Sequence, residues 1–313
     1  LWYNLFLTLG LQIIKDICAL SLSMKNIRRI FLLIAVFSAM PSFSQIDSVM
    51  GRKVRKFTFY GTWGYNRWAF TKSTIHFTNK GTPNDPNPTH QPYDFTLYDV
   101  SAQDSPDFDQ IASKWSDVAN FTIPQFSVRV GCYFNNKQDE GLEINYDHAK
   151  YVVTDGQQMH VKGTINGHSF DTLCVYPRNY FHFEHTDGAN FWQLNYIKRW
   201  KIFKSKDGKS NIGWMFKPGA GVVIPRTDVT LFGNRLNNRW HLAGFIAGVE
   251  TGLRAEFLNH FCLEFTAKAA YADYLWCYVQ YRGNGNASHR FGTVGAILSL
   301  GYQFHHFAPG KKS

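Results

Sequence analysis

TVGAILSLGYQF, residues 293–304, is the run on which the reading of the fold turns. Val294, Ala296, Leu298, Leu300, Tyr302 and Phe304 fall on one parity, while Thr293, Gly295, Ser299, Gly301 and Gln303 fall on the other. A period of two marks a β-strand whose successive side chains face opposite ways. The run predicts an apolar outside and a small, polar inside. That is the reverse of a water-soluble sandwich and is what a strand in a membrane barrel needs.

Seven further segments carry the same alternation. Phe57, Phe59, Trp63 and Tyr65 oppose Thr58, Tyr60, Thr62 and Asn66; Phe126, Val128, Val130 and Cys132 oppose Ser127, Arg129 and Gly131. Leu142, Ile144 and Tyr146 oppose Glu143, Asn145 and Asp147; Trp192, Leu194, Tyr196 and Trp200 oppose Gln193, Asn195 and Arg199. The pattern recurs over 211–222, 243–257 and 261–268, which with the opening run makes eight strands. The links at 136–140, 205–209 and 258–260 are short, whereas those at 71–120, 155–187, 225–238 and 281–288 are long. This alternation predicts an all-β, eight-stranded, antiparallel up-and-down transmembrane barrel with long extracellular loops and short periplasmic turns.

The inward parity collects Glu143, Asp147, Glu250, Glu256 and Glu264 against Arg129, Arg199, Lys217, Arg254 and Lys268. A barrel of this strand number is just wide enough for side chains to fill it, and unpaired charges there would be costly. A salt-bridged, hydrogen-bonded filling is therefore expected in place of an open pore.

Composition sets the outer limits. A mean hydropathy of -0.28, with 18% charged and 44% hydrophobic residues among 313, excludes both a protein of many membrane helices and a disordered chain. From Met24, a basic start, the apolar run IFLLIAVFSAM and small residues around Phe43 predict a secretory signal peptide over 24–44. Residues 1–23 read as an upstream segment outside the mature protein, 45–304 as the barrel and 305–313 as a polar tail. Without Lys15, Asp16, Lys25, Arg28 and Arg29 the formal net charge of +10 falls to +7. Of the cysteines left, Cys174 and Cys277 would both lie on the outer side, where export permits a bridge. Trp63, Tyr65, Trp192, Trp200, Trp214, Tyr271 and Tyr302 fall on the outward parity, as interfacial girdles require.

The terminal LSLGYQF, with Tyr302 and Phe304, resembles the C-terminal strand that the outer-membrane assembly machinery recognises. Over residues 54–304 the chain resembles the small eight-stranded outer-membrane barrels, the OmpX, OmpW and OmpA-barrel class. The tail HHFAPGKKS departs from members that stop at the aromatic residue. The resemblance implies the outer membrane of a Gram-negative cell, and it supplies no active-site residues.

The loops hold what chemistry there is. YDFTLYDV (93–100) is a candidate extra strand; Ser105-Pro106, with Phe108, Ile111 and Trp115 at helical spacing, predicts a short helix in the same loop. Asn166-Gly167 predicts a hairpin that lifts strands three and four above the membrane. In HFEHTD (182–187) period two sets His182 with Glu184 on one face and His185 with Asp187 on the other, with His148 nearby. His148, Glu184, His185 and Asp187 are candidates for general-base chemistry or a His–carboxylate metal site. A lipid A deacylase places Ser two residues after its catalytic His, whereas here Thr186 and Asp187 follow His185 and no His-x-Ser occurs. Neither a catalytic set, a metal nor a cofactor is assigned. Arg67, Lys72, Arg235, Arg239 and Arg282 fall at the outer rim, where lipopolysaccharide phosphates would meet them, so lipid and a surface ligand, not nucleic acid, are the expected partners. The expected role is structural, surface-binding or adhesive, through the loops; the alternatives are a lipid A deacylase-like enzyme and a porin-like, OmpW-like conduit for small hydrophobic molecules.

Overall fold

The computed structural model describes residues 48–49, 52–105, 125–185, 188–237, 239–280 and 285–309. The upstream segment, the signal peptide, the helix expected from Pro106, and the candidates Asp187 and Arg282 lie outside the described residues. Eight long strands form the frame: β1 (Arg52–Phe70), β2 (Phe126–Tyr133), β3 (Glu140–Asp147), β4 (Phe191–Lys204), β5 (Asn211–Val223), β6 (Gly244–Phe257), β7 (Phe261–Tyr278) and β8 (Gly285–Pro309). Each pairs antiparallel with the next, and β8 returns to β1, from Thr293 opposite Phe70 to Pro309 opposite Val54. The ring thus closes through these eight, within a sheet of thirteen strands. β8 continues past Phe304, so His305, expected in a polar tail, pairs with Thr58 and meets its hydroxyl through Nδ1 at 2.9 Å.

Parity holds around the ring except at register shifts in β4 (Lys201/Phe203) and β7 (Tyr274/Cys277). Val130, Leu142, Leu194, Phe245, Phe265, Val294 and Leu300 point outward and are exposed, while Thr62, Asn66, Asn145, Thr266 and Ser299 point inward and are buried. Large inward side chains sit opposite small ones, as a narrow barrel requires. Tyr60 faces Gly131 and Trp68 faces Gly295 on the neighbouring strands. A Cβ on Gly131 would fall on the Tyr60 ring, and one on Gly295 would meet the Trp68 indole.

The inward face changes character at one level. On β8 it runs Gln303, Ser299, Ile297 and Thr293, then Phe291, His289 and Ala287, and so from mainly polar to mainly apolar; on β7, Glu264, Thr266, Lys268 and then Ala272 and Tyr274. β4 passes from Arg199, Ile197, Asn195 and Gln193 to Phe191, and β5 from Met215 and Lys217 to Val223. Above that level the outward side of β8 turns polar, with Arg290, Ser288 and Asn286.

There the loops build a packed cap. Upper β8 pairs with Ser73–Asn79, which pairs with Tyr93–Val100, then Gln158–Ile165, then His168–Val175. A second sheet orders Asn234–Asn237, Asp228–Leu231, Phe181–His185, Tyr151–Val153 and Ala102–Gln103. The two sheets share one core: Phe77 meets Phe181 and Phe183 edge-on at 5.9 and 5.8 Å, and Ile75, Phe95, Leu97 and Val161 lie in the same cluster. That core continues down to Trp68 and Phe191, 5.3 Å apart at the top of the ring.

Two expectations are corrected. The Asn166-Gly167 hairpin exists, with both residues at positive φ as its tight turn demands. It does not extend strands three and four, however; it joins the sheet through Tyr93–Val100. Cys174 and Cys277 are both free, and Cys277 is buried. A bulge between Tyr274 and Cys277 adds a residue to β7 and turns Cys277 inward, so the outward parity read from sequence fails there.

Gly131→Val should therefore lower stability by about 1–3 kcal/mol through overpacking against Tyr60. Gly61→Val, next to Tyr60 but outward with only Arg129 O at 3.9 Å, should be near neutral. The temperature at which the folded band is lost on an unboiled gel checks this pair.

Candidate functional site

The ring interior holds one continuous chain of charges. All ten inward charges named from the sequence are buried, none more than 2% exposed. From the short-turn end, Arg199 bonds Glu256 at 2.7 Å, Glu256 also accepts from Arg254 Nε at 2.9 Å, and Arg254 reaches Glu264. Lys217 donates to Glu264, Glu143 and Glu250 at 3.2, 3.0 and 3.5 Å. Arg129 joins Glu250 at 2.9 Å to Asp147 at 3.0 Å, and Asp147 accepts from Lys268 at 2.7 Å. The sign alternates at every step.

Strand register places these partners. Lys217, Glu250 and Lys268 stand side by side on β5, β6 and β7, and Arg254 stands opposite Glu264. Neutral groups complete the chain: the Tyr60 hydroxyl donates to Glu143 (2.6 Å), Thr266 to Glu250 (2.9 Å) and Ser127 to Asp147 (2.7 Å), while Gln303 accepts from Arg254 (2.9 Å). The Arg254 guanidinium also lies 4.3 Å from the Tyr60 ring centroid. Tyr60 and Gln303 sit on the inward parity of their runs, and that parity was the signal for their role. A concavity of about 540 Å³ lies on the outer wall, lined by Ala69, Ala247, Ala269 and Gly292, and not in the bore.

Of the described candidates, His148, Glu184 and His185 sit in different surroundings. His148 stacks on Phe126 (5.3 Å) with Nδ1 2.9 Å from Asn190 Oδ1, which also accepts from the Tyr146 hydroxyl at 2.7 Å. Glu184 lies in the second sheet beside His182, on one face as period two requires. His182 is gripped from both sides, Nε2 by Glu184 and Nδ1 by Asp155, each at 2.7 Å. Burial opposes its charge, yet the two carboxylates outweigh burial and raise its pKa above the ordinary imidazole value. With both nitrogens occupied it cannot serve as a general base. His185 points the other way, into the apolar core, where burial pushes its pKa well below the ordinary value. The described residues therefore assemble no acyl-hydrolase site from these candidates.

The rim cations are exposed but partly neutralised. Arg67 Nε lies 2.8 Å from the buried carboxylate of Asp104, and Arg235 grips Asp228 through two bonds of 3.0 and 2.6 Å. Arg239 lies over the Tyr278 ring at 5.4 Å, and Lys72 is exposed. Sequence reasoning missed Cys277 and His289, which meet His185 in the core. Carrying the parity of 293–304 back through Phe291 would have placed His289 inward.

No model of a known protein family matches the sequence, and no curated protein matches it. Among solved structures the chain is similar to small outer-membrane β-barrel proteins. The outer membrane protein OprG from Pseudomonas aeruginosa is 10% identical, with 83% of this chain and all of that one covered and a TM-score of 0.34. Ail, the attachment invasion locus protein of Yersinia pestis, solved with the heparin analogue sucrose octasulfate, is 10% identical over 80% of this chain and 99% of its own, at a TM-score of 0.26. The outer membrane protease OmpT from Escherichia coli is 8% identical over 80% and 97%, at 0.23. The likeness is one of barrel architecture alone.

Lys217→Met should destabilise the fold by about 3–5 kcal/mol, because three buried carboxylates lose their common cation. Adding Glu264→Gln restores neutrality and should recover part of that loss; urea midpoints from tryptophan fluorescence in micelles decide it. The raised pKa of His182 gives a second expectation. Its contribution is complete below the ordinary imidazole pKa and is lost as pH rises through the raised one. Proteolytic resistance of the cap should fall over that upper window in the wild type and stay flat in His182→Phe.

Proposed function

We propose that the chain is an integral outer-membrane barrel with a closed, ion-paired interior, acting at the cell surface as a binding or adhesion protein through its cap. The observation that supports this most directly is on β8, where the inward face passes from mainly polar to mainly apolar at the level at which the outward face passes from apolar to polar. A strand changes sides in this way where the medium outside it changes from lipid to water. Below that level the wall carries Trp192, Tyr146 and Tyr271 at one height and Trp200, Trp214 and Tyr302 at the other. Trp192 and Trp200 stand roughly 20 Å apart along the axis, at ~3.3 Å per residue and a tilt of ~40°. That spacing suits girdles at the two edges of an outer-membrane apolar band.

The long loops then face outward from the cell and the short turns face the periplasm. In the cap, the outward side of the sheet extension carries polar pairs, with His76 bonded to Asp94 at 2.8 Å and Lys162 to Asp171 at 2.9 Å, beside exposed Leu173 and Val175. The sheet ends at His168–Val175, whose outer edge is the kind of edge to which an incoming strand can add. On this reading the exposed Arg67 and Lys72 would meet lipopolysaccharide phosphates, and Tyr302 and Phe304 would mark the strand read by the assembly machinery. A closed interior disfavours a conduit, which leaves the cap as the working surface.

The test has two arms. An epitope inserted at Asn166-Gly167 should be reached by antibody on intact cells, and the same epitope at Asp207-Gly208 only after permeabilisation. Cells displaying the intact protein should adhere to a panel of immobilised matrix proteins and glycans more than cells whose 158–175 hairpin is replaced by a Gly-Ser turn. Reversed accessibility, or equal adherence across the panel, would overturn the reading.

A further inference from the structure

His185, Cys277 and His289 meet in the roof of the barrel, apart from the charged chain below and from the His182 bridge. Three unrelated features of the fold bring them there. His185 ends the Phe181–His185 strand on its core-facing parity, the bulge in β7 turns Cys277 inward, and His289 stands one inward position above Phe291 on β8. All three are buried, and a ring nitrogen of each histidine and the Cys277 sulfur lie within 4.8 Å of one another.

The surroundings are aromatic. Tyr274 stacks on both imidazoles with ring centroids at 4.9 Å, and Tyr151 and Phe183 pack against His289 at 5.1 and 5.4 Å. The group is also incompletely satisfied. The two Nε2 atoms face each other at 3.1 Å, a pair that can share only one hydrogen. Thr227 Oγ1 lies 3.2 Å from His185 Nδ1, but His289 Nδ1 has no hydrogen-bond partner.

We propose that His185, Cys277 and His289 bind one transition-metal ion of the zinc class, through two imidazole nitrogens and a thiolate. Bonds of about 2.0–2.1 Å to nitrogen and ~2.3 Å to sulfur put tetrahedral ligand atoms roughly 3.3–3.6 Å apart. The two Nε2 atoms already stand close to that spacing, so uptake needs mainly an inward shift of the sulfur. Thr227 would accept from His185 Nδ1, the outer contact that fixes the orientation of a metal-bound imidazole. On binding, a metal–sulfur bond forms, the Cys277 thiol proton passes to solvent and no oxidation state changes. A thiolate with two imidazoles selects against magnesium and calcium, which prefer oxygen ligands.

The test uses the full chain, purified without a histidine tag, folded in detergent and stripped with a chelator. Zn²⁺ added in excess should be retained at one equivalent per chain through gel filtration, and Co²⁺ in its place should give a thiolate-to-cobalt charge-transfer band. Cys277→Ser should abolish that band, Cys174→Ser should leave it intact, and His289→Gln should weaken zinc binding by at least about tenfold. Heat-modifiable gel mobility reports whether each variant is folded. Zinc-edge X-ray absorption of the wild type, which needs no variant, should show one sulfur and two imidazoles in the first shell. Folded wild type that retains no zinc, a band that survives Cys277→Ser, or an all-oxygen shell would overturn the proposal.

Discussion

Charges buried inside a ring of eight strands have to neutralise one another, because the bore has little space for anything but side chains. Five acids and five bases do so in one unbroken chain from Arg199 to Lys268. The constraint fixes more than charge. A slip of one residue between β5 and β6 would send Glu250 to the outer wall and leave Lys217 opposite Val249 or Thr251, without a carboxylate on that strand, so the chain of ion pairs also specifies the strand register. It sets the small positions too, since Tyr60 can approach Glu143 only because Gly131 stands beside it.

The cap obeys the opposite rule on the same strands. Above the level of Trp68 and Phe291 the inward residues are mainly apolar and pack against a second sheet, and the outward residues of β8 are polar, while Leu275 and Trp276 of β7 stay exposed. The long links are thus folded β-structure over the described residues, with a core continuous with the top of the ring. On our reading, this is where the wall leaves lipid, and where a rigid surface is presented to the outside.

How much of this was legible in sequence follows from where the partners lie. Inside the ring each strand pairs with its neighbour in the chain, and one medium on each side makes period two a faithful guide. All ten interior charges could be named from it. The cap was less legible because its pairings are remote: Tyr93–Val100 finds Gln158–Ile165, and Phe181–His185 finds Asp228–Leu231. YDFTLYDV could be read as a strand and Asn166-Gly167 as a turn, since both signals are local, but which strand the hairpin would join could not. The bulge that turns Cys277 inward leaves no mark in the alternation. HFEHTD shows its pairing of His182 with Glu184 plainly, yet only the fold brings Asp155 to the other side of that ring and removes it as a base.

The account stands or falls on the closed interior. Single-channel recording of the folded protein in a planar bilayer tests it most directly, with insertion verified by antibody to an epitope in the cap. The account predicts a flat trace at all applied potentials, since on this reading the ion-paired side chains from Arg199 to Lys268 close the bore. A discrete, reproducible conductance step from correctly folded wild-type protein would contradict it.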